Sequence, residues 1–300
     1  MSHGVRTLLR IGRNSANLAR TVAFYRDALG FSVDAAPAAP PAWTRIPGLD
    51  ATPSRCALLS LGAQQIALTE FPGAEPYPAG STACDGWFQH CAIVVADIGA
   101  THDRVLRHGA QPVTRGGPQT LPPATGSVRA FKFRDPDGHP LELIQFPPGS
   151  GDPGWQSAST AGPALGIDHS AISVADVERS IRFYALLGLR VAARGVNRGA
   201  RQQRLDALDN VEVDVVALQA AARTPHLELL GYRTPRGRAA TPPPTAIAAD
   251  RLVWRASGID ALLDAVSDAG YPNASASGRV DGTTVALLRD PDGHRLVLTG

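Results

Sequence analysis

The sequence predicts an α+β fold built from four copies of one β-α-β-β-β module. Three observations carry this expectation. A strand–turn–helix–strand segment recurs four times along the 300 residues. Each recurrence is followed by two more strand-like runs that read as a hairpin. The turn "DPDGH" appears at 135–139 and again at 290–294, each time between apolar strands. Asp-Pro opens such a turn and Gly accepts the positive φ that closes it.

The first copy is "RIGRNSANLARTVAFYRDALGFSV" (10–33), followed by the paired runs of 56–71 and interrupted by "AAPAAPPAW" (35–43). The second, "HCAIVVADIGATHDRVLRHGAQPV" (90–113), sets His90 seven residues before Asp97 and ends in the pair 128–146. The third, "HSAISVADVERSIRFYALLGLRV" (169–191), sets His169 seven residues before Asp176 and continues into 211–232. Its Val177, Ile181, Tyr184 and Leu187 follow helical spacing. Phe183-Tyr184 matches Phe24-Tyr25 of the first copy, and both pairs read as helix core. The fourth, "RLVWRASGIDALLDAVSDAGYPN" (251–273), aligns Ile259 with Ile98, which puts Arg251 opposite His90, and closes with 283–300. The expected boundaries are 1–72, 84–147, 165–233 and 247–300, with a Gly-, Pro- and Ser-rich linker over 148–164.

Composition narrows the function. Apolar residues make up 44% and charged residues 19%, as in a soluble globular chain. No apolar run reaches the roughly 18 residues of a membrane span, and the N-terminus has no signal-peptide core. A net charge of +2, with arginines scattered, argues against a nucleic-acid partner. Cys56, Cys84 and Cys91 show no metal or redox spacing and fit a reducing cytoplasm.

His169 with "SVADVERSIRFYALLGL", His90 with "AIVVADI", "HLELLGY" (226–232) and "FRDPDGHPLELIQF" (133–146) together resemble the vicinal-oxygen-chelate superfamily. This group holds glyoxalase I, methylmalonyl-CoA epimerase, extradiol dioxygenases and bleomycin-resistance proteins. The resemblance covers nearly the whole chain. It implies two open, curved mixed β-sheet barrels with helices outside, each made of two modules around one candidate cation site. It also implies that each module offers one ligand on its first strand and one on its last. Carried over, those positions are Arg10 and Ala67, His90 and Glu142, His169 and Glu228, and Arg251 and Val297. Pairing modules two and three gathers His90, Glu142, His169 and Glu228. Pairing one and four leaves a site with no ligand, where two guanidiniums would repel a divalent ion.

Under this resemblance the protein is a metal-dependent lyase or isomerase of the glyoxalase/epimerase type. One divalent ion (Zn, Ni, Co, Mn or Fe(II)) binds His90, Glu142, His169 and Glu228. Glu142 or Glu228, equivalent by sequence, is the base that moves a proton next to a metal-bound carbonyl or enediolate oxygen of a small organic substrate. A monomer suffices for the site, and oligomers through other surfaces stay open. Two alternatives remain: an Fe(II) ring-cleaving dioxygenase on two His and one Glu, and a non-catalytic small-molecule binder. Each Glu, flanked by Leu, also suits a solvent-facing place on an alternating strand. His139 and His294, shared by both DPDGH turns, read as structural. His226 shares a strand face with Glu228 and lines the same cavity on this reading.

Overall fold

The computed structural model describes residues 3–34, 55–157, 162–271 and 277–300. The interruption expected at 35–43 lies outside them. The first module comprises β1 (Gly4–Ser15), α1 (Leu18–Leu29), β2 (Ser32–Val33), β3 (Arg55–Leu61) and β4 (Gln64–Glu70). The second comprises β5 (Gln89–Val94), α2 (Ile98–Arg107), β6 (Gln111–Pro112), β7 (Gln119–Thr120), β8 (Arg129–Arg134) and β9 (Pro140–Gln145). A short helix, α3 (Pro153–Ser157), sits in the linker. The third has β10 (Gly166–Ser173), α4 (Val177–Leu186), β11 (Arg190–Arg198), α5 (Ala200–Asp206), β12 (Glu212–Gln219) and β13 (His226–Thr234). The fourth has β14 (Arg251–Ser257), α6 (Ile259–Asp268), β15 (Gly278–Val280), β16 (Thr283–Arg289) and β17 (Arg295–Thr299).

Helices begin where the sequence supplies caps. The Asn17, Asp97 and Asp176 side chains each accept from backbone N–H groups of the first turn, a contact worth about 1 kcal/mol. The fourth repeat has Gly258 at this place, with no side-chain cap. The apolar stripe of each helix then buries: Phe24 and Tyr25, Ile98 and Val105, Phe183 and Tyr184, Leu262 and Val266. All join one core that also holds inward residues of both sheets, such as Ile66, Leu143, Leu229 and Leu298. No described helix is long and apolar enough to cross a membrane.

The strands form two open mixed sheets. One runs β15-β16-β17-β14-β1-β4-β3-β2; the other runs β11-β12-β13-β10-β5-β9-β8-β6, with β7 on β8. The first and fourth modules thus share one sheet, and the second and third share the other. The seams are antiparallel pairs of first strands, β1 with β14 and β5 with β10.

The repeated turn has a structural task. Asp135 Oδ1 accepts from the backbone N–H of Asp137 and His139, and Asp290 Oδ1 accepts from Asp292 and His294. The Tyr25 hydroxyl of α1 donates to Asp135 Oδ2 at 3.1 Å, and the Tyr184 hydroxyl of α4 donates to Asp290 Oδ2 at 3.0 Å. Each turn thereby locks its own module onto the helix of the module before it. Helix α5 was not evident in the sequence. It begins after Gly199 without a side-chain cap and is too short for a clear apolar period.

Candidate metal centre

Register brings the candidate ligands together. His226, His169, Ala92, Glu142 and Lys132 stand in one row across β13, β10, β5, β9 and β8. Ala217, Glu228, Ala171 and His90 form the next row across β12, β13, β10 and β5. Ala92 and Ala171 therefore sit between the four ligand positions and leave open space above the sheet. The side chains line a cavity of about 470 Å³ whose other walls include Val128, Ile144, Phe146, Val215 and Leu230.

His90 Nε2 lies 3.0 Å from Glu142 Oε2, and His169 Nε2 lies 3.7 Å from the same oxygen. Glu228 Oε2 is 3.5 Å from His169 Nε2. The Nε2 atoms of both histidines are buried, yet neither makes a hydrogen bond of acceptable geometry. A cation shared with the neighbouring carboxylates would satisfy both nitrogens. Ligand atoms bonded at about 2.0–2.1 Å around a tetrahedral ion stand roughly 3.4 Å apart. His90, Glu142 and His169 form one group, with one donor atom from each within 4.8 Å of the others. Glu228 is outside that group: its Oε2 lies 3.5 Å from His169 Nε2, and its Oε1 lies 3.6 Å from His226 Nε2. A second group, Asp168, His169 and His226, adjoins it.

Supporting contacts fix these side chains. His169 Nδ1 is 2.9 Å from Asp168 Oδ2, and Asp168 Oδ1 accepts from Trp155 Nε1 at 3.2 Å. An Nδ1–H bound to a carboxylate leaves the Nε2 lone pair free for a cation. Lys132 Nζ donates to Asp206 Oδ1 at 2.7 Å, and Asp206 Oδ2 accepts from Gln202 Nε2 at 2.7 Å and the Tyr232 hydroxyl at 3.0 Å.

Electrostatics follow from these neighbours. Burial alone would raise Glu142, but the Lys132 ammonium, with His169 and His90, holds it well below the usual carboxylate range. Glu228 is likewise opposed by burial and pushed down to about 2, chiefly by His169 and then His226. Burial lowers His90, which favours the neutral, ligating form. Burial works against charge at His169 too, yet Glu228 and Asp168 carry it well above its ordinary value. A site that concentrates this much negative charge around an imidazole is suited to a cation.

The corresponding face of the other sheet carries none of this set. Arg10 and Gln65 take the places of His169 and His226, Arg251 that of His90, and Ala67 and Val297 those of the two glutamates. His139 and His294 belong to the turns, as expected: His139 Nδ1 meets Asp135, and His294 Nε2 meets the Ser173 carbonyl at 2.8 Å. His226 does line the cavity. Sequence reasoning missed Lys132, Asp168, Asp206 and Gln202. Lys132, the sole lysine of the chain, was legible in principle, because counting strand residues back from the DPDGH turn places it opposite Glu142. Asp206 and Gln202 belong to α5 and had no such signal.

A fold of paired β-α-β-β-β modules with candidate ligands on first and last strands defines a class, and the family comparison agrees. The model of the Glyoxalase/Bleomycin resistance protein/Dioxygenase superfamily matches residues 7–143 and again 166–298. The chain belongs to that superfamily. Glyoxalase I from Zea mays has the same fold, with a TM-score of 0.63 at 21% identity over 99% of this chain and 92% of that one. A candidate dioxygenase from Bacillus subtilis reaches 0.62 at 14% identity, over 99% and 86%. No curated protein sequence matches.

Proposed function

We propose that the protein is a divalent-metal-dependent enzyme of the glyoxalase/epimerase type, moving a proton at the carbon next to a carbonyl of a small organic substrate. The observation that carries this reading is the pair of buried, unbonded imidazole nitrogens of His90 and His169, from two modules, with carboxylate oxygens 3.0–3.7 Å away. A divalent ion held by His90, His169, Glu142 and Glu228 supplies Lewis acidity toward a carbonyl oxygen. The chain does the rest. Asp168 keeps His169 in the ligating tautomer, and Lys132 keeps Glu142 ionised. Glu228 is the looser carboxylate: it stands outside the His90–Glu142–His169 group, its side chain is 20% exposed against 8% for Glu142, and it has His226 as a further neighbour. We assign it the role of base, taking the proton and returning it, with His226 placed to share the charge. Val128, Ile144, Phe146, Val215 and Leu230 give the pocket apolar walls for the rest of the substrate. All donors come from one chain, so a monomer is sufficient.

One observation favours a second reading. The group of His90, His169 and Glu142 is two histidines and one carboxylate, the set that Fe(II) dioxygenases use with open positions for oxygen and a diol. The experiment that separates them loads the protein with Zn, Ni, Co, Mn or Fe(II) and screens hemithioacetals, acyl-CoA thioesters and catechols while oxygen is recorded. Turnover without oxygen uptake supports proton transfer. Stoichiometric oxygen consumption on a catechol would replace this reading with the second.

A further inference from the structure

The cavity over the candidate ligands has two walls, and strand register shows what each one offers. On one side β13, β12 and β11 pair in rows: Glu228 with Ala217 and Ala193, then Leu230 with Val215 and Gly195. On the other side β9 and β8 pair Glu142 with Lys132, then Ile144 with Ala130. All of these residues line the cavity. The charged groups therefore stand in one row of each wall, and the next row is apolar on both. Strand alternation brings the two rows to the same face. Alanine or glycine at 130, 193, 195 and 217 leaves the space between the walls open. Val128 and Phe146 extend the apolar surface. The volume of about 470 Å³ suits a small organic molecule that is largely enclosed.

Charge is unevenly supplied in this cavity. Glu142, Asp168 and Glu228 line it, and among the described residues Lys132 and Arg194 are the only lining cations besides the histidines. Both are committed. Lys132 Nζ donates to Asp206 Oδ1 at 2.7 Å, and Arg194 pairs with Glu178. Gln202 and Leu205 of α5 line the cavity, but the arginines beside them do not. Arg201 and Arg204 donate instead to Gln119 Oε1, at 3.4 and 2.9 Å. A carboxylate or phosphate on the body of a bound molecule would lose hydration, meet no uncommitted cation and lie among carboxylates. An uncharged apolar body gains from the same walls.

We propose that the substrate is an alkyl or aryl ketone or aldehyde with an uncharged hydrophobic body, carrying no carboxylate, phosphate or anionic thiol-conjugate arm. The reacting carbonyl rests on the proton-transfer reading above; the preference for an uncharged body rests on the walls alone. Zinc-loaded protein, with metal content assayed in the same sample, is titrated by calorimetry with benzohydroxamic acid and 4-carboxybenzohydroxamic acid, which differ by one carboxylate. The probe without the carboxylate should bind at least about tenfold more tightly, and neither S-hexylglutathione nor acetyl-CoA should displace it. Val215→Lys puts an uncommitted cation in the apolar row. It should move the ratio at least about tenfold towards the carboxylated probe, with metal content unchanged. Ala193→Lys, at an exposed position on β11, gives the same test if Val215→Lys does not fold. Metal-free protein, followed by saturation-transfer NMR with acetophenone and 4-acetylbenzoate, reads the walls without the ion. Preference for acetophenone in a protein that binds no zinc would remove the metal reading and leave the uncharged body standing. Equal or tighter binding of the carboxylated member of either pair, displacement by the thiol conjugates, or an unchanged ratio in the lysine variants would overturn the proposal.

Discussion

The two sheets share one plan and differ on one face. In the sheet of modules two and three, Ala92 and Ala171 floor a pocket edged by His90, His169, Glu142 and Glu228. In the sheet of modules one and four, Val253 and Gly12 hold the floor positions, with Arg251, Arg10, Val297 and Ala67 around them. The opposite faces did not diverge. Leu141 and Leu143 flank Glu142, and Leu296 and Leu298 flank Val297; all four leucines are buried in the common core. Strand alternation explains this separation, since successive side chains point to opposite faces. One face and the DPDGH turn hold helices and sheets together, so both halves keep them. The other face is free to carry chemistry in one half and to change in the other.

The largest effect expected from this contrast is on turnover. Glu228→Gln should lower activity by roughly 10²–10⁴-fold with metal retained, the usual worth of a general base. Glu142→Gln should act first on metal content, because Glu142 sits in the group with His90 and His169. Ala67→Gln, at the matching place in the other sheet, should leave both unchanged. Loss of activity without loss of metal in Glu142→Gln, and not in Glu228→Gln, would exchange the two roles.

Next in size is the buried cation. Lys132 and Asp206 form a pair with side-chain exposures of 5% and 0%. Lys132→Met leaves Asp206 without its cation and should cost about 3–5 kcal/mol in denaturant unfolding. Its counterpart in the other sheet is Leu287, opposite Val297 as Lys132 is opposite Glu142. Leu287→Met keeps volume and polarity and should cost less than about 1.5 kcal/mol. Equal costs would mean that Lys132 serves only as packing.

The smallest contrast lies in the two turns. Burial raises both aspartates, but at Asp135 the His139 and Arg13 cations win and its pKa falls below 3.8. At Asp290 burial wins and the pKa rises above 3.8. A depressed carboxylate stabilises the fold above its unfolded pKa, and that stabilisation disappears as pH falls through the folded value. A raised one stabilises only at low pH, and that contribution is lost as pH rises through the folded value. Asp135→Asn should therefore destabilise at neutral pH, with a penalty that shrinks below about pH 3.8. Asp290→Asn should cost less at neutral pH, since it removes a charge that burial opposes. Melting temperatures across pH check this, and parallel curves for the two variants would contradict it.

How much of this was legible follows from the same alternation. The repeats showed in the sequence because caps, helix stripes and turn residues are local signals. Asp97 and Asp176 stand at fixed distance from His90 and His169, and both DPDGH turns are intact. The pairing of modules two and three followed from which repeats carry His and Glu at both candidate positions. The supporting groups were harder to read. Asp206 reaches Lys132 across 74 residues from a helix with no cap and no full apolar period. Glu142 and Glu228 are both flanked by leucines; His226, two residues before Glu228, was visible beside one, whereas Lys132 comes opposite the other only when the strands are counted back from the turn.

The central claim is that one half of the repeat holds a cation and the other does not. Metal content per chain, measured for the wild type, His169→Ala and Arg251→Ala after equilibration with a divalent ion and desalting, tests it most directly. The account predicts one ion per chain in the wild type, most of it lost in His169→Ala, and full retention in Arg251→Ala. Equal loss in both variants, or no bound ion in the wild type, would contradict it.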